Sequence, residues 1–395
     1  MTIRTFTPER LRRTGSLKWT GITRRDGSPT IGAWVAEMDF GTSPRVADAM
    51  KSAIDDGLLG YQPPWLARAV AEATASFQTE RFGWALEPEQ VRLTSAVLPV
   101  LEAMLSKLVR PGAPVVVPTP AYMPFLSIPV RLGHPVIEVP SLHGEAAGGR
   151  GWALDLEGIR AGLETGAGLV ILCNPWNPTG RVLEASELRA FGELVSSYDA
   201  LVFSDEIHSP LVLDEIPLVS YASLDPAFAA HTITATAASK GWNIAGLPSA
   251  QAIIPDEALR ERWDALVGPE ISQEASVIGT IGTIAAYSGD DPWQREVRDY
   301  IRLNVDVVEQ AIANSPIDFT RPQGTYLSWW GFEGLGLSDS PARELREIAG
   351  IAANDGRALG ADYAQWARIN LACSHEVAAE IIERALNLIA GASLA

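Results

Sequence analysis

The stretch 231-HTITATAASKGWNIAGLP-248 decides the fold. Its first half, through Lys240, reads as a β-strand ending in small residues, with glycine following at once. An amine placed there stands at the rim of a sheet, between Ser239 and Gly241. Upstream, 200-ALVFSDEIHSP-210 reads as a second apolar strand that ends in Asp205, Glu206 and His208. A third, 169-LVILC-173, runs into 174-NPWNPTG-180. Three strands thus deliver polar groups at their C-terminal ends, where open α/β sheets bind ligands. Lys240 is one of only four lysines, against 27 arginines, in 395 residues. A lysine aimed at such a site suggests a Schiff base, and hence pyridoxal phosphate.

Outward from these strands, strand and helix signals alternate between about Leu98 and Ile284. The run 97-VLPVLEAMLSKLV-109 has helical spacing of apolar residues, 114-PVVVP-118 is a short buried strand, and 186-SELRAFGELVSSY-198 is an amphipathic helix with Ser186 as N-cap. The run 249-SAQAII-254 adds another apolar strand. This pattern predicts an α/β fold whose mainly parallel sheet is covered on both faces. The glycine-rich 141-SLHGEAAGGRG-151 reads as a surface loop. After Tyr287 the texture changes: a helix from Asp291 to about Ile312, a strand in 325-TYLSWW-330, helical stretches near 341–354 and 376–391, and a strand in 367-ARINLAC-373. The expected organisation is a large domain over 46–284, a smaller α+β domain over 285–395, and an N-terminal arm, 1–45, joining the small domain.

Composition fits an ordinary globular chain, with 47% hydrophobic and 20% charged residues. A net charge of −17 argues against nucleic-acid or anionic-membrane partners, which need clustered cations. The N-terminus, MTIRTFTPERLRR, has no apolar stretch behind it and does not read as a signal peptide. No apolar run approaches the roughly 18 residues of a membrane span. Cys173 and Cys373 read as reduced core thiols, no metal site is expected, and the cytoplasm is the default location.

Taken alone, Lys240 would be a surface lysine at a strand end; its company changes the reading. A pyridoxal site needs an acid at the pyridine nitrogen, donors at the phenolic oxygen, a phosphate cradle and a flat group over the ring. Asp205 is the candidate acid, with Glu206 competing for the role. Asn177, within a Pro/Gly turn, and His208 are candidates for the phenolic oxygen. The run Thr94-Ser95-Ala96-Val97 precedes a predicted helix and, with Ser239, suits a phosphate dianion. Tyr122 is placed to stack on a ring, and Arg368 to hold a substrate carboxylate bidentately. Trp34, Met38, Tyr122 and Trp242 are either pocket lining or core.

The ordered set NPWNPTG, SDEIHSP, SKGWNIAGL and ARINLAC resembles the fold-type I pyridoxal-phosphate enzymes, the class I/II aminotransferase superfamily. Within it, 16-SLKW-19, 32-GAWVAEMDFG-41, 60-GYQPPW-65, 118-PTPAYMPF-125, 205-DEIH-208, 323-QGTYLSW-329 and 354-NDG-356 are similar to the MalY/PatB branch of cystathionine β-lyase-like C–S lyases. The resemblance implies a seven-stranded large-domain sheet. It implies that Lys240 bears the cofactor, that Asp205 pairs with the pyridinium, and that Asn177 and His208 flank the phenolic oxygen. Lys240, Asp205 and Tyr122 are then the catalytic candidates. Arg368 binds the substrate α-carboxylate, with Trp34 and Ala36 beside it. Tyr61 would reach the phosphate of the other subunit in a homodimer. Two departures stand out: Pro248 lies where many relatives carry a phosphate-binding arginine, and Ala96 where many carry glycine. The implied activity is β-elimination from L-cystathionine and related S-substituted cysteines, within sulfur amino-acid metabolism and methionine biosynthesis. An aminotransferase of the same fold is the alternative, and a regulatory protein that retains the cofactor a remoter one.

Overall fold

The strand predicted around Lys240 stops short of it. In the computed structural model, which describes residues 3–392, the apolar run forms a strand only over Thr232–Thr236. Ala237 is extended, and Ala238–Gly241 makes a single helical turn that carries Lys240. Small residues with good helix propensity allow this turn, closed by Trp242 N–H donating to the Ala238 carbonyl. Lys240 therefore projects from a turn just beyond the sheet rather than from the strand itself.

Seven strands form the large sheet: β1 (Val91–Thr94), β2 (Val115–Thr119), β3 (Val136–Pro140), β4 (Leu169–Cys173), β5 (Leu201–Asp205), β6 (Thr232–Thr236) and β7 (Ala250–Ile253). Their order is β1-β7-β6-β5-β4-β2-β3. The pairs β2/β3, β2/β4, β4/β5 and β5/β6 are parallel. Strand β7 alone runs against its neighbours β1 and β6. The strands are continuous apolar runs because both faces are covered. Phe203, Ile233 and Val115 lie in one buried layer, Val202, Val170 and Val116 in the other. Register sets Cys173 beside Asp205 and Asp205 beside Ala235, so the C-terminal ends of β4, β5 and β6 finish level.

A second sheet follows in the C-terminal part: β8 (Asp318–Phe319), β9 (Leu327–Gly331), β10 (Asn354–Asp355) and β11 (Trp366–Asn370), ordered β8-β9-β11-β10. The helices Pro292–Ile312 and His375–Ala392 pack on it through buried Val297, Ile301, Ile381 and Ile382. The N-terminal segment shares that core through Trp19, Ile31 and Phe40. Its residues Ile31–Gly32 pair in parallel with Ile351–Ala352. Buried Lys18 is bridged to Asp39 at 3.1 Å and donates to the Ala372 carbonyl.

Three local readings are corrected. The helix predicted with Ser186 as N-cap is capped two residues earlier, by Glu184, and starts at Ala185. There Glu184 and Glu187 make a reciprocal capping box, which satisfies two N–H groups where Ser186 would satisfy one. The 141–151 stretch is partly ordered: Leu142–His143 pairs with Trp152–Ala153, and His143 stacks on buried Trp152 at 4.2 Å. The helical stretch expected over 341–354 ends at Ala349, where Gly350 turns with φ +71° into two short strands. Cys173 and Cys373 are both free, and burial raises each thiol's pKa.

Candidate active site

Lys240 Nζ donates to the Ala36 carbonyl at 3.0 Å, and Tyr326 donates its hydroxyl to the same oxygen at 2.9 Å. Lys240 has no carboxylate within ion-pair distance among the described residues. Burial, and then the charge of Arg368, push its pKa down to about 8; Glu37 and Asp205 pull the other way. An amine so placed keeps a useful neutral fraction near physiological pH.

The Ala36 carbonyl is held in place from both sides. Asn370, at the end of β11, donates through Nδ2 to the carbonyls of Val35 (2.6 Å) and Glu37 (2.7 Å). Asn243, three residues past Lys240 and at φ +56°, accepts from Met38 N–H and donates to the Met38 and Phe40 carbonyls. The segment 33–41 is thereby laced to the lysine turn and to the second sheet at once. Buried Met38 and Trp242 are core residues here, and Trp242 Nε1 donates to Asp291.

At the end of β5, side chains alternate between faces, and this separates Asp205 from Glu206. Asp205 is buried, accepts from Ile207 N–H at 3.0 Å and feels the Lys240 charge. Burial raises its pKa to about 6. Glu206 turns the other way and accepts from Ser204, Ser220 and Tyr221 N–H, with burial raising its pKa to about 7. Only Asp205 shares the lysine's electrostatic surroundings.

Buried His208 bonds through Nδ1 to Thr325 Oγ1 at 2.9 Å. Burial, then the charges of Lys240 and Arg368, hold its pKa well below the usual range, so the ring is neutral. Asn177 is buried in the turn after β4, and Arg368 Nη1 donates to its Oδ1 at 3.0 Å. Arg368 also donates through Nη2 to the Trp34 carbonyl (2.9 Å) and to Asn354 Oδ1 (2.6 Å). It has no carboxylate partner among the described residues, and its buried Nε has no hydrogen bond. Burial lowers its pKa to about 10, leaving it charged. An isolated buried guanidinium is costly unless a ligand anion completes it.

Tyr122 lies just before the helix Met123–Arg131, edge-on to Phe125; burial raises its pKa, with Arg368 pulling it down and Asp205 pushing it up. Buried Ser95 and exposed Ala96 precede Val97, which opens the helix after β1, and Ala96 provides no side-chain cap for the helix's first N–H groups. Ser239 is half-buried beside Lys240. The Trp34 ring points elsewhere, its Nε1 donating to the Lys18 carbonyl at 3.2 Å. Tyr61 is fully exposed, at 103% of its reference area, and makes no hydrogen bond to the rest of the site.

The residues match the needs of pyridoxal phosphate: an amine of lowered pKa, a buried carboxylate, an amide and a neutral imidazole on the same rim, and a helix start for a dianion. Sequence reasoning missed Asn243, Asn370, Asn354, Tyr326 and Thr325 as working residues. All five lie inside quoted motifs; Asn243 and Asn370 stand as polar residues within apolar runs, and that interruption was the available signal for them.

Comparison with known proteins points the same way. The family model for aminotransferase class I and II matches residues 34–384. A protein named cystathionine beta-lyase from Corynebacterium glutamicum is 32% identical over 382 residues, covering 96% of this chain and 98% of its own. Cystathionine beta-lyase PatB from Bacillus subtilis is 31% identical over 366 residues, covering 91% of this chain and 93% of its own. Among solved structures, cystalysin from Treponema denticola, which contains a pyridoxal 5'-phosphate cofactor, superposes with a TM-score of 0.89 at 25% identity. That match covers 99% of this chain and 100% of the other.

Proposed function

The chain belongs to the aminotransferase class I and II family, and from that premise we propose that it is a pyridoxal-phosphate-dependent carbon–sulfur β-lyase. It cleaves L-cystathionine and related S-substituted L-cysteines to a thiol (homocysteine from cystathionine), pyruvate and ammonia. The observation that carries this reading is the meeting of unpaired, charged Arg368 with Asn177, Lys240 and neutral His208 on one rim.

Each group has a task. Arg368 receives the substrate α-carboxylate, which completes its fork of donors. Lys240, the cofactor's attachment point, in its neutral form accepts the α-proton at Nζ. Asp205 would hold the cofactor's ring nitrogen protonated, Asn177 and His208 would hold its phenolic oxygen, and Tyr122 would pack on the ring. The N–H groups of Ser95, Ala96 and Val97, with the Ser95 and Ser239 hydroxyls, would hold the phosphate. Bound there, pyridoxal phosphate supplies an electron sink for negative charge at the substrate Cα. The C–S bond then breaks, sulfur leaves as thiolate and takes up a proton, and the aminoacrylate fragment reacts with water to give pyruvate and ammonia.

The functional unit of this reading is a homodimer in which exposed Tyr61 reaches the partner's phosphate site. Residues 46–284 form the cofactor-binding domain, and 285–395 with the arm 1–45 form the small domain. The substrate is a small amino acid, nucleic acid and membrane play no part, and no described helix is long and apolar enough to cross a membrane. The chain serves cytoplasmic sulfur amino-acid metabolism, supplying homocysteine for methionine biosynthesis. Incubating the holoenzyme with cystathionine and a panel of S-substituted cysteines tests the activity: thiol and pyruvate are expected in equal amounts. Keto-acid-dependent amino transfer without thiol release would make it an aminotransferase, and bound cofactor without turnover a regulatory protein.

A further inference from the structure

Among the described residues other than glycine, only Asn243 and Thr325 have positive φ. Asn243 is a residue type that tolerates this conformation; Thr325, branched at Cβ and held at φ +66°, is not. Thr325 is also fully buried. Its N–H donates to the Leu211 carbonyl at 2.9 Å, and the preceding Gly324 bridges Val212. Gln323 and Gly324 N–H groups both reach the Gly180 carbonyl, at 2.8 and 2.9 Å. Space is tight there: a Cβ at Gly180 would meet Pro322 at 2.3 Å. The 323–325 loop is therefore clamped between the turn that carries Asn177 and the segment that follows His208.

The strained backbone aims Thr325 Oγ1 at His208 Nδ1, 2.9 Å away. A buried hydroxyl must give its proton to an acceptor, and Nδ1 is the one within reach among the described residues. Were Nδ1 itself protonated, the Thr325 proton would be left without a partner. A neutral imidazole whose Nδ1 accepts carries its proton on Nε2. Nε2 has no hydrogen-bond partner of its own among the described residues.

We propose that Thr325 is a positioning residue whose hydroxyl, donated to His208 Nδ1, fixes His208 as the Nε2–H tautomer, so that it offers a donor to the anionic phenolic oxygen of bound pyridoxal phosphate. This rests on the reading that the rim binds that cofactor. Glycine at 325 would relieve the backbone but lose the hydroxyl. Valine keeps the branched shape and the strain while removing the donor, and serine keeps the donor.

The test labels histidine with ¹⁵N in a chain that has five histidines, with the His208 signals assigned by their loss in His208→Gln. Long-range ¹H–¹⁵N spectra of apo-protein and holoenzyme should show Nδ1 bare and Nε2 protonated, in wild type and in Thr325→Ser alike. Thr325→Val should move the population toward protonated Nδ1 and raise the Kd for pyridoxal phosphate roughly ten-fold, the scale of one misdirected hydrogen bond. A protonated Nδ1 in wild type overturns the proposal, and so does a tautomer unchanged in Thr325→Val. Should Thr325→Val not fold, the wild-type spectrum still decides. Failure of wild type to bind pyridoxal phosphate would sink the proposed function instead, while the apo spectrum would still judge the proton's position.

Discussion

Arg368 and Asn177, 191 residues apart in sequence, are joined by a 3.0 Å hydrogen bond from Nη1 to Oδ1. The bond ties β11 of the second sheet to the turn after β4 of the first, so in the proposed function the residue that would bind the substrate carboxylate and one that would face the cofactor oxygen are a connected pair. Replacing Arg368 by lysine keeps the charge but loses the planar fork. Arg368→Lys should lower kcat/KM on cystathionine by about 10²-fold, the scale of one to two charge-assisted hydrogen bonds. Cofactor absorbance should survive, since Lys240, Asp205 and the proposed phosphate cradle are untouched. Steady-state kinetics beside a visible spectrum checks both halves.

The proposed role of Lys240 as proton acceptor predicts a pH profile. Lys240 has its pKa lowered from 10.5 to about 8. Only the neutral amine accepts a proton, so kcat should fall as pH drops below about 8 and level off above it. Lys240→Ala should abolish thiol release while the protein still takes up pyridoxal phosphate, now removable by dialysis. Wild-type pyruvate production by that variant would remove Lys240 from the mechanism.

Asp205 and Glu206 are neighbours in sequence with opposite fates, and substitution should separate them. Asp205→Asn keeps the acceptor for Ile207 N–H but cannot hold a charge at the ring nitrogen. Its turnover should drop by at least about 10²-fold, a typical scale for misdirected acid–base chemistry. Glu206→Gln retains an oxygen for Ser204, Ser220 and Tyr221 N–H, and should stay within a few-fold of wild type in activity.

The same aspartate predicts an effect on stability with a definite sign. The folded-state pKa is raised from 3.8 to about 6, so between those values the folded protein binds more protons than the unfolded chain. Stability of the apo-protein therefore falls as pH rises through that window, and the deficit is fully present above about pH 6. Asp205→Asn removes it and should stabilise the apo-protein at pH 8 by up to about 3 kcal/mol, two pKa units' worth. Urea unfolding at pH 4 and pH 8 tests the sign: the gain should appear at pH 8 and shrink at pH 4. A site residue that costs stability where it works fits the usual trade between stability and activity.

The sequence made the sheet and its working rim readable because LVILC, LVFSD and TITAT are unbroken apolar runs, which only a doubly covered sheet accommodates. The polar residues directly after those runs are the ones gathered at the rim. What stayed hidden acts through the backbone or across long separations. Ala36, expected beside the substrate carboxylate, instead contributes a carbonyl to Lys240, a role that no side-chain pattern announces. Asn243 and Asn370 work by lacing a segment some 200 and 330 residues away in the chain, and look locally like ordinary polar positions. Asp205 and Glu206 could be assigned to opposite faces from strand alternation, but not to which face. The end of the Thr232 strand was misjudged because Ala-Ala-Ser suits a helical turn as readily as a strand.

Tyr61 carries the prediction that reaches beyond one chain. Tyr61 is fully exposed, with Leu59 and Trp65 exposed near it in sequence, and the family resemblance implies that Pro248 stands where many relatives carry a phosphate-binding arginine. If Tyr61 completes the partner's site, two inactive variants can rescue each other. Mixed Tyr61→Ala and Lys240→Ala subunits, unfolded and refolded together, give hybrid dimers in which one site has both Lys240 and the partner's intact Tyr61. Random pairing makes about half the dimers hybrid with one good site of two, so about a quarter of wild-type activity should return. Were Tyr61 to serve its own subunit, every hybrid site would lack one of the two residues and mixing would restore nothing. Activity measured against mixing ratio separates these outcomes, because rescue by complementation peaks at equal amounts of the two variants.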